Sequence, residues 1–301
     1  MRYLLSFLTG LVLFSCAAPI LEPADDTIKV VCTTSIMTDW VSNVASEKME
    51  VLPLLKVGID PHVYKPSKKD LDLLREADVI IYHGLHLEGK IIEVLEHMED
   101  KLIIDAAKNF PNGLIIRDPN FPASTDPHAW FDKTLAQNSI KTIVEKLSRE
   151  FSEESAVLFE NMGAYFSAMK GVAIKVDSII STIPEEQRLV ITTHDALSYF
   201  ARQYNLRVKT LQGASTVSEF GLREITDLVD FIVEQRVPAI FLENIISPQA
   251  MESVQKGCAS KGFDVKIGPE LLSDSLGSEE DQNTYFDMLI FNAKTITEYL
   301  K

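Results

Sequence analysis

Residues 148–183 read SREFSEESAVLFENMGAYFSAMKGVAIKVDSIISTI, a stretch without proline whose glycines are Gly163 and Gly171. Apolar side chains recur at Phe159, Met162, Phe166, Met169, Val172 or Ala173, Val176, Ile179 or Ile180, and Ile183, the 3.6-residue period of one helix face. At about 1.5 Å of rise per residue this predicts a helix roughly 50 Å long, ended by Pro184, which has no N–H to extend the ladder. A single segment of this kind, flanked by regions of another pattern, suits a rigid strut better than a coiled coil.

On either side of it, short β-rich runs alternate with helical patterns. The first set is 28–33, 51–55, 79–82 and 102–105; the second is 189–193, 208–211, 239–242 and 263–267. Several are almost wholly apolar rather than alternating, as parallel strands covered by helices on both faces require. The expected fold is therefore α/β, with two lobes that each carry a four-stranded parallel sheet, joined by one long rigid helix. The boundaries are 28–147 for the first lobe, 148–183 for the linking helix and 184–301 for the second lobe. Ser67 and Asp70, just after Pro66, have the spacing of a capping box ahead of Leu71, Leu73 and Leu74.

The 301 residues suffice for two cores, and 46% are apolar, which excludes a disordered chain. Basic residues number 29 against 44 acidic, a net charge of −15 without any basic block, so nucleic acid is not an expected partner. Arg2 followed by an apolar run has the form of a secretory signal peptide, taken as 1–15. Leu13-Phe14-Ser15-Cys16 resembles a bacterial lipobox, so Cys16 is expected to be lipidated and to anchor the chain to a membrane through a short tether, 16–27. The other cysteines, Cys32 and Cys258, fall in different lobes without ligand spacing and are expected as buried free thiols.

Three of the six histidines sit past predicted strands or in proline-marked loops. These are His62 in Asp60-Pro61-His62, His128 in Asp126-Pro127-His128, and His194 in His194-Asp195-Ala196. In α/β lobes such positions are where side chains converge on a ligand. Asp274 has the same placement after the last strand. Three imidazoles and one carboxylate, two from each lobe, make a first shell for Zn²⁺ or Mn²⁺. Asp126, Asp132 and Asp195 are candidates to orient a ligand imidazole through its second nitrogen. His83 and His86 could lie near the cleft mouth, His97 reads as a helix-surface residue, and Trp130 as packing beside the site.

Together with Tyr64, Pro66-Ser67, Ala129-Trp130, Tyr199-Phe200, Leu211-Gln212-Gly213 and Ser273-Asp274-Ser275, these motifs resemble the solute-binding proteins of metal ABC importers, in the TroA-like branch. The resemblance runs from about residue 28 to 300 in the same order. It implies two lobes on one rigid helix, one divalent metal ion held in the interlobe cleft by His62, His128, His194 and Asp274, and delivery to an ABC transporter permease. It further implies an exported, periplasmic or cell-surface monomer that is not an enzyme. Manganese-dedicated relatives commonly place glutamate where this chain has His194, and zinc-dedicated ones often carry a His-rich loop that is missing after His62. Manganese and zinc therefore stand level, with iron behind them. The opposing classes are a metal-dependent hydrolase, which would need an open coordination position and a general base, and a surface adhesin with a structural metal.

Overall fold

A computed structural model describes residues 27–117, 124–217 and 220–301. The expected signal peptide and nearly all of the tether, Cys16 included, lie outside the described residues. Among the described residues no helix is long and apolar enough to cross a membrane.

The first lobe runs β1 (Ile28–Cys32), α1 (Ser35–Val44), β2 (Met49–Pro53), α2 (Lys68–Glu76), β3 (Val79–Tyr82), α3 (Gly89–Leu95) and β4 (Leu102–Asp105). Its four strands form one parallel sheet in the order β2-β1-β3-β4, with Val30 opposite both Val51 and Val79. Val30, Val31, Ile80 and Ile81 are fully buried, as strands covered on both faces demand. The Ser67–Asp70 capping box starts α2 as expected.

Two helices follow, α4 (Lys133–Glu150) and α5 (Ser155–Ile180). The expected single helix over 148–183 is thus shorter: its first residues finish α4, which ends at Glu150 with Phe151 as its cap, and a 3₁₀ turn over Ser152–Glu154 re-aims the chain. Lys48 holds that turn through a 3.0 Å ion pair with Glu154. Beyond Ile180 the hydroxyls of Ser181 and Thr182 donate back to the Ser178 and Ile179 carbonyls, and Pro184 completes the stop. At 26 residues α5 is about 39 Å long.

Along α5 the buried positions are Leu158, Tyr165, Met169, Val176 and Ile180, one stripe at the helical period. That stripe packs on α1 and α4 and also on α9 (Tyr285–Leu300), the last helix of the second lobe. One apolar core consequently runs from Val30 and Trp40 through Met169 to Met288 and Ile296, without a break between the lobes. A shared core of this extent opposes wide hinge bending.

The second lobe runs β5 (Leu189–Thr192), α6 (Ser198–Tyr204), β6 (Arg207–Thr210), α7 (Leu222–Gln235), β7 (Ala239–Glu243), α8 (Gln249–Ser260) and β8 (Lys266–Leu271) before α9. Its strands form two parallel ladders, β5-β6 and β7-β8, rather than one continuous four-stranded sheet. β5 and β7 lie side by side, but where β5 ends a side chain replaces the backbone ladder: Glu243 accepts the N–H groups of Thr193 and His194. The last strand also begins later than the expected 263. Gly262, at φ +79°, ends α8, and the Phe263 N–H turns back to the Cys258 carbonyl, so Phe263 belongs to the helix stop. Cys32 and Cys258 are buried free thiols, as expected.

Candidate metal centre

The loops at the carboxyl ends of the strands bring four side chains together. His62 comes from the β2–α2 loop, His128 from the turn entering α4, His194 from the end of β5, and Asp274 from the segment after β8. One ligand-type atom from each lies within 4.8 Å of the corresponding atoms of the other three. All four residues are at least 96% shielded from solvent. Asp274 Oδ2 stands 3.1 Å from His62 Nε2 and 3.6 Å from His194 Nε2, while Oδ1 stands 3.3 Å from His128 Nε2. The Nε2 atoms of His128 and His194 are 3.3 Å apart.

Within this crowd His62 Nε2 and both Asp274 oxygens are buried without a hydrogen bond. A buried polar group left in that state costs about 1–3 kcal/mol unless something else takes it up. Three nitrogens and a carboxylate facing one point suit a divalent transition metal, since they offer intermediate donors and one negative charge.

The second nitrogens set the orientation of two rings. His128 Nδ1 donates to Asp126 Oδ1 at 2.7 Å, and the same oxygen accepts the His128 backbone N–H at 2.9 Å. Pro127, between them, fixes the short arc that lets one carboxylate reach both groups. His194 Nδ1 stands 2.5 Å from Glu243 Oε2, and Glu243 Oε1 accepts the Thr193 and His194 N–H groups at 2.9 and 2.8 Å. His62 has no comparable ring carboxylate among the described residues besides Asp274. Its carbonyl is seated against Gly89, where a Cβ would stand 2.4 Å from the oxygen, so any side chain there would displace the loop.

Charge balance follows from this packing. Burial disfavours the charged form of His128, but Asp274 and Asp126 outweigh it and raise the imidazole to about 9. For His194 burial is likewise overcome, by Glu243 and Asp274, and the ring is held well above the usual range. Burial alone would push Asp274 up; His128 and His194 instead hold it well below the carboxylate range. Without metal, the cage therefore favours an ionised Asp274 beside protonated His128 and His194 at neutral pH.

Of the three aspartates named from sequence as orienting groups, only Asp126 takes that role. Asp132 caps α4 through the N–H groups of Thr134 and Leu135 and pairs with Arg202 at 2.8 Å. Asp195 accepts the Ser198 hydroxyl at 2.6 Å. Sequence reasoning missed Glu243, whose signal was a carboxylate closing the apolar run Ala239-Ile240-Phe241-Leu242.

Trp130 packs between His83 and His128, at ring distances of 5.0 and 5.2 Å, and its Nε1 donates to the Ser273 carbonyl beside Asp274. His83 is buried against Trp130 and Phe110, and burial lowers it to about 4. His86 lines the cavity at the cleft mouth, and His97 is an exposed helix-end residue.

A family model described as zinc-uptake complex component A, periplasmic, matches residues 30–299. The manganese-binding lipoprotein MntA of Bacillus subtilis (strain 168) is 36% identical over 283 residues, which cover 93% of this chain and 92% of MntA. The zinc-binding protein TroA of Treponema pallidum (strain Nichols) is 33% identical over 281 residues, covering 92% of this chain and 90% of TroA. A solved structure of the periplasmic zinc-binding protein TroA from Treponema pallidum superimposes with a TM-score of 0.87, covering 91% of this chain and 99% of that one.

Proposed function

The chain belongs to the zinc-uptake complex component A family, and from that membership and its four-donor cage we propose that it captures one divalent transition-metal ion and delivers it to the membrane permease of an ABC importer. The observation that carries this reading is the convergence of His62, His128, His194 and Asp274, two from each lobe, on one buried point. These four are the proposed ligands. Asp126 and Glu243 set the ring orientations, so that Nε2 of His128 and of His194 faces the ion.

The ion is cargo on this reading. Four protein ligands surround it, which leaves no place for the activated water that a hydrolase requires, and favours a carrier over an enzyme. The names of its relatives support both Mn²⁺ and Zn²⁺ as cargo. Three imidazoles intrinsically favour Zn²⁺, while supply in the cell decides which ion is loaded. Attachment by a lipidated Cys16, facing away from the cytoplasm, is supported by the lipobox-like Leu13 to Cys16 and by the lipoprotein names among the relatives.

Uptake by cells tests the function. A strain lacking the chain should accumulate less manganese or zinc at low external metal, and the wild-type chain should restore uptake while Asp274→Ala should not. Equal restoration by both would refute the carrier role of this cage.

Metal binding should also be steeply pH-dependent. Because His128 is raised to about 9 and His194 is held well above its usual range, an arriving ion must expel protons from these rings, so affinity falls as pH falls. Asp274, held low, stays ionised throughout this window. With at least one proton released per ion, the Kd for Zn²⁺ should rise roughly tenfold or more for each pH unit lost between about 8 and 6. Competition against a chromophoric chelator across that range measures it, and a flat profile would contradict the protonated cage.

A further inference from the structure

A cavity of about 850 Å³ opens at the cleft mouth. Of the four proposed ligands only His62 lines it, and Gly213, Ala214 and Ser215 of the second lobe form part of its wall. His62 is thus the proposed ligand that borders this opening. His62 is also the ligand whose ring has no bracing carboxylate besides Asp274 among the described residues, so its place depends on its backbone.

That backbone is held by Asp60. Oδ1 of Asp60 accepts the His62 N–H at 2.9 Å. The other oxygen, Oδ2, accepts the hydroxyl of Thr216 at 2.6 Å, a bond that crosses from the first lobe to the second. Thr216 directly follows Ser215 of the cavity wall, and Gly213 in that wall accepts the N–H of Asp195, the neighbour of His194. A single carboxylate thus joins the loop of one ligand to the segment tied beside another. The same first-lobe loop has a second anchor, the Gly58 N–H donating to Ser275 Oγ at 2.8 Å.

We propose that Asp60 is a positioning residue whose bond to Thr216 latches the His62 turn across the cleft and sets the rate at which bound metal leaves. The inference rests on the metal-carrier reading. While the bond holds, the His62 turn and the opposite lobe move together. Once it breaks, the turn can move away from the second lobe, one metal bond is lost, and the cavity provides the way out. No ligand is removed by cutting the latch at Thr216, and the Gly58–Ser275 bond keeps the start of the loop docked while the His62 turn beyond it is freed.

Release of Zn²⁺ from the one-to-one complex into excess chelator, followed by stopped flow, tests this on the whole chain. Thr216→Val should leave one ion bound per chain but speed release roughly ten- to a hundredfold, the value of a hydrogen bond to a charged acceptor. Thr216→Ser, which keeps the hydroxyl, should release at close to the wild-type rate. A Thr216→Val rate within about twofold of wild type would overturn the latch, and so would a Thr216→Ser rate equal to that of Thr216→Val, because the hydroxyl would then be irrelevant. A wild-type chain that binds no stoichiometric metal would overturn the carrier reading itself, and the stoichiometry therefore separates the two failures.

Discussion

Asp274→Ala is expected to weaken binding of Mn²⁺ or Zn²⁺ by more than about a thousandfold while leaving the chain folded. Asp274 supplies the only negative charge among the four donors, and its two oxygens divide between the rings, Oδ2 facing His62 and His194, Oδ1 facing His128. Without it a divalent ion would enter a buried pocket of imidazoles with no ligand charge to offset its desolvation. The fold should survive because Asp126 and Glu243 still partner the His128 and His194 rings, while loss of Asp274 shifts both rings toward the neutral form that burial favours. Calorimetric titration gives the loss of affinity, and thermal unfolding of the metal-free variant gives the stability. His97→Ala, at an exposed helix end, should leave binding intact.

Glu243 should be nearly as sensitive, and two substitutions separate its two duties. Its Oε1 accepts the N–H groups of Thr193 and His194, and its Oε2 faces the His194 ring. Glu243→Leu strands two buried N–H donors, at a cost of about 1–3 kcal/mol each, and frees the ring, with a further loss of roughly 10- to 100-fold in metal affinity. Glu243→Gln retains a carbonyl oxygen for the backbone donors but removes the charge beside the imidazole. The glutamine variant should therefore melt close to wild type yet bind metal about tenfold more weakly. If both variants lose stability equally, the backbone bonds are not carried by Oε1 as the structure has them.

Much of this was legible in the chain because it depends on local chemistry. Pro61 and Pro127 stiffen the loops that carry His62 and His128, the all-apolar strand runs announce a buried parallel sheet, and the apolar stripe of α5 stands out in residues 155–180. What escaped depends on contacts distant in sequence. Glu243 acts on His194 across 49 positions, and nothing beside it distinguishes it from a carboxylate that merely ends a strand. Asp132 and Asp195 were equally plausible partners for an imidazole, and only the tertiary fold turns one to a helix N-terminus and the other to Ser198. The break at Phe151 was hidden because the helical apolar pattern runs on through a turn that Lys48 stabilises from the first lobe.

The most direct test is metal-edge X-ray absorption on the one-to-one complex of the purified chain with Zn²⁺ or Mn²⁺. The expected shell contains three imidazole nitrogens together with carboxylate oxygen, from His62, His128, His194 and Asp274, and it should lose one imidazole in His194→Ala. A shell without imidazole scattering, or one unchanged by that substitution, would place the metal elsewhere and contradict the cage as the cargo site.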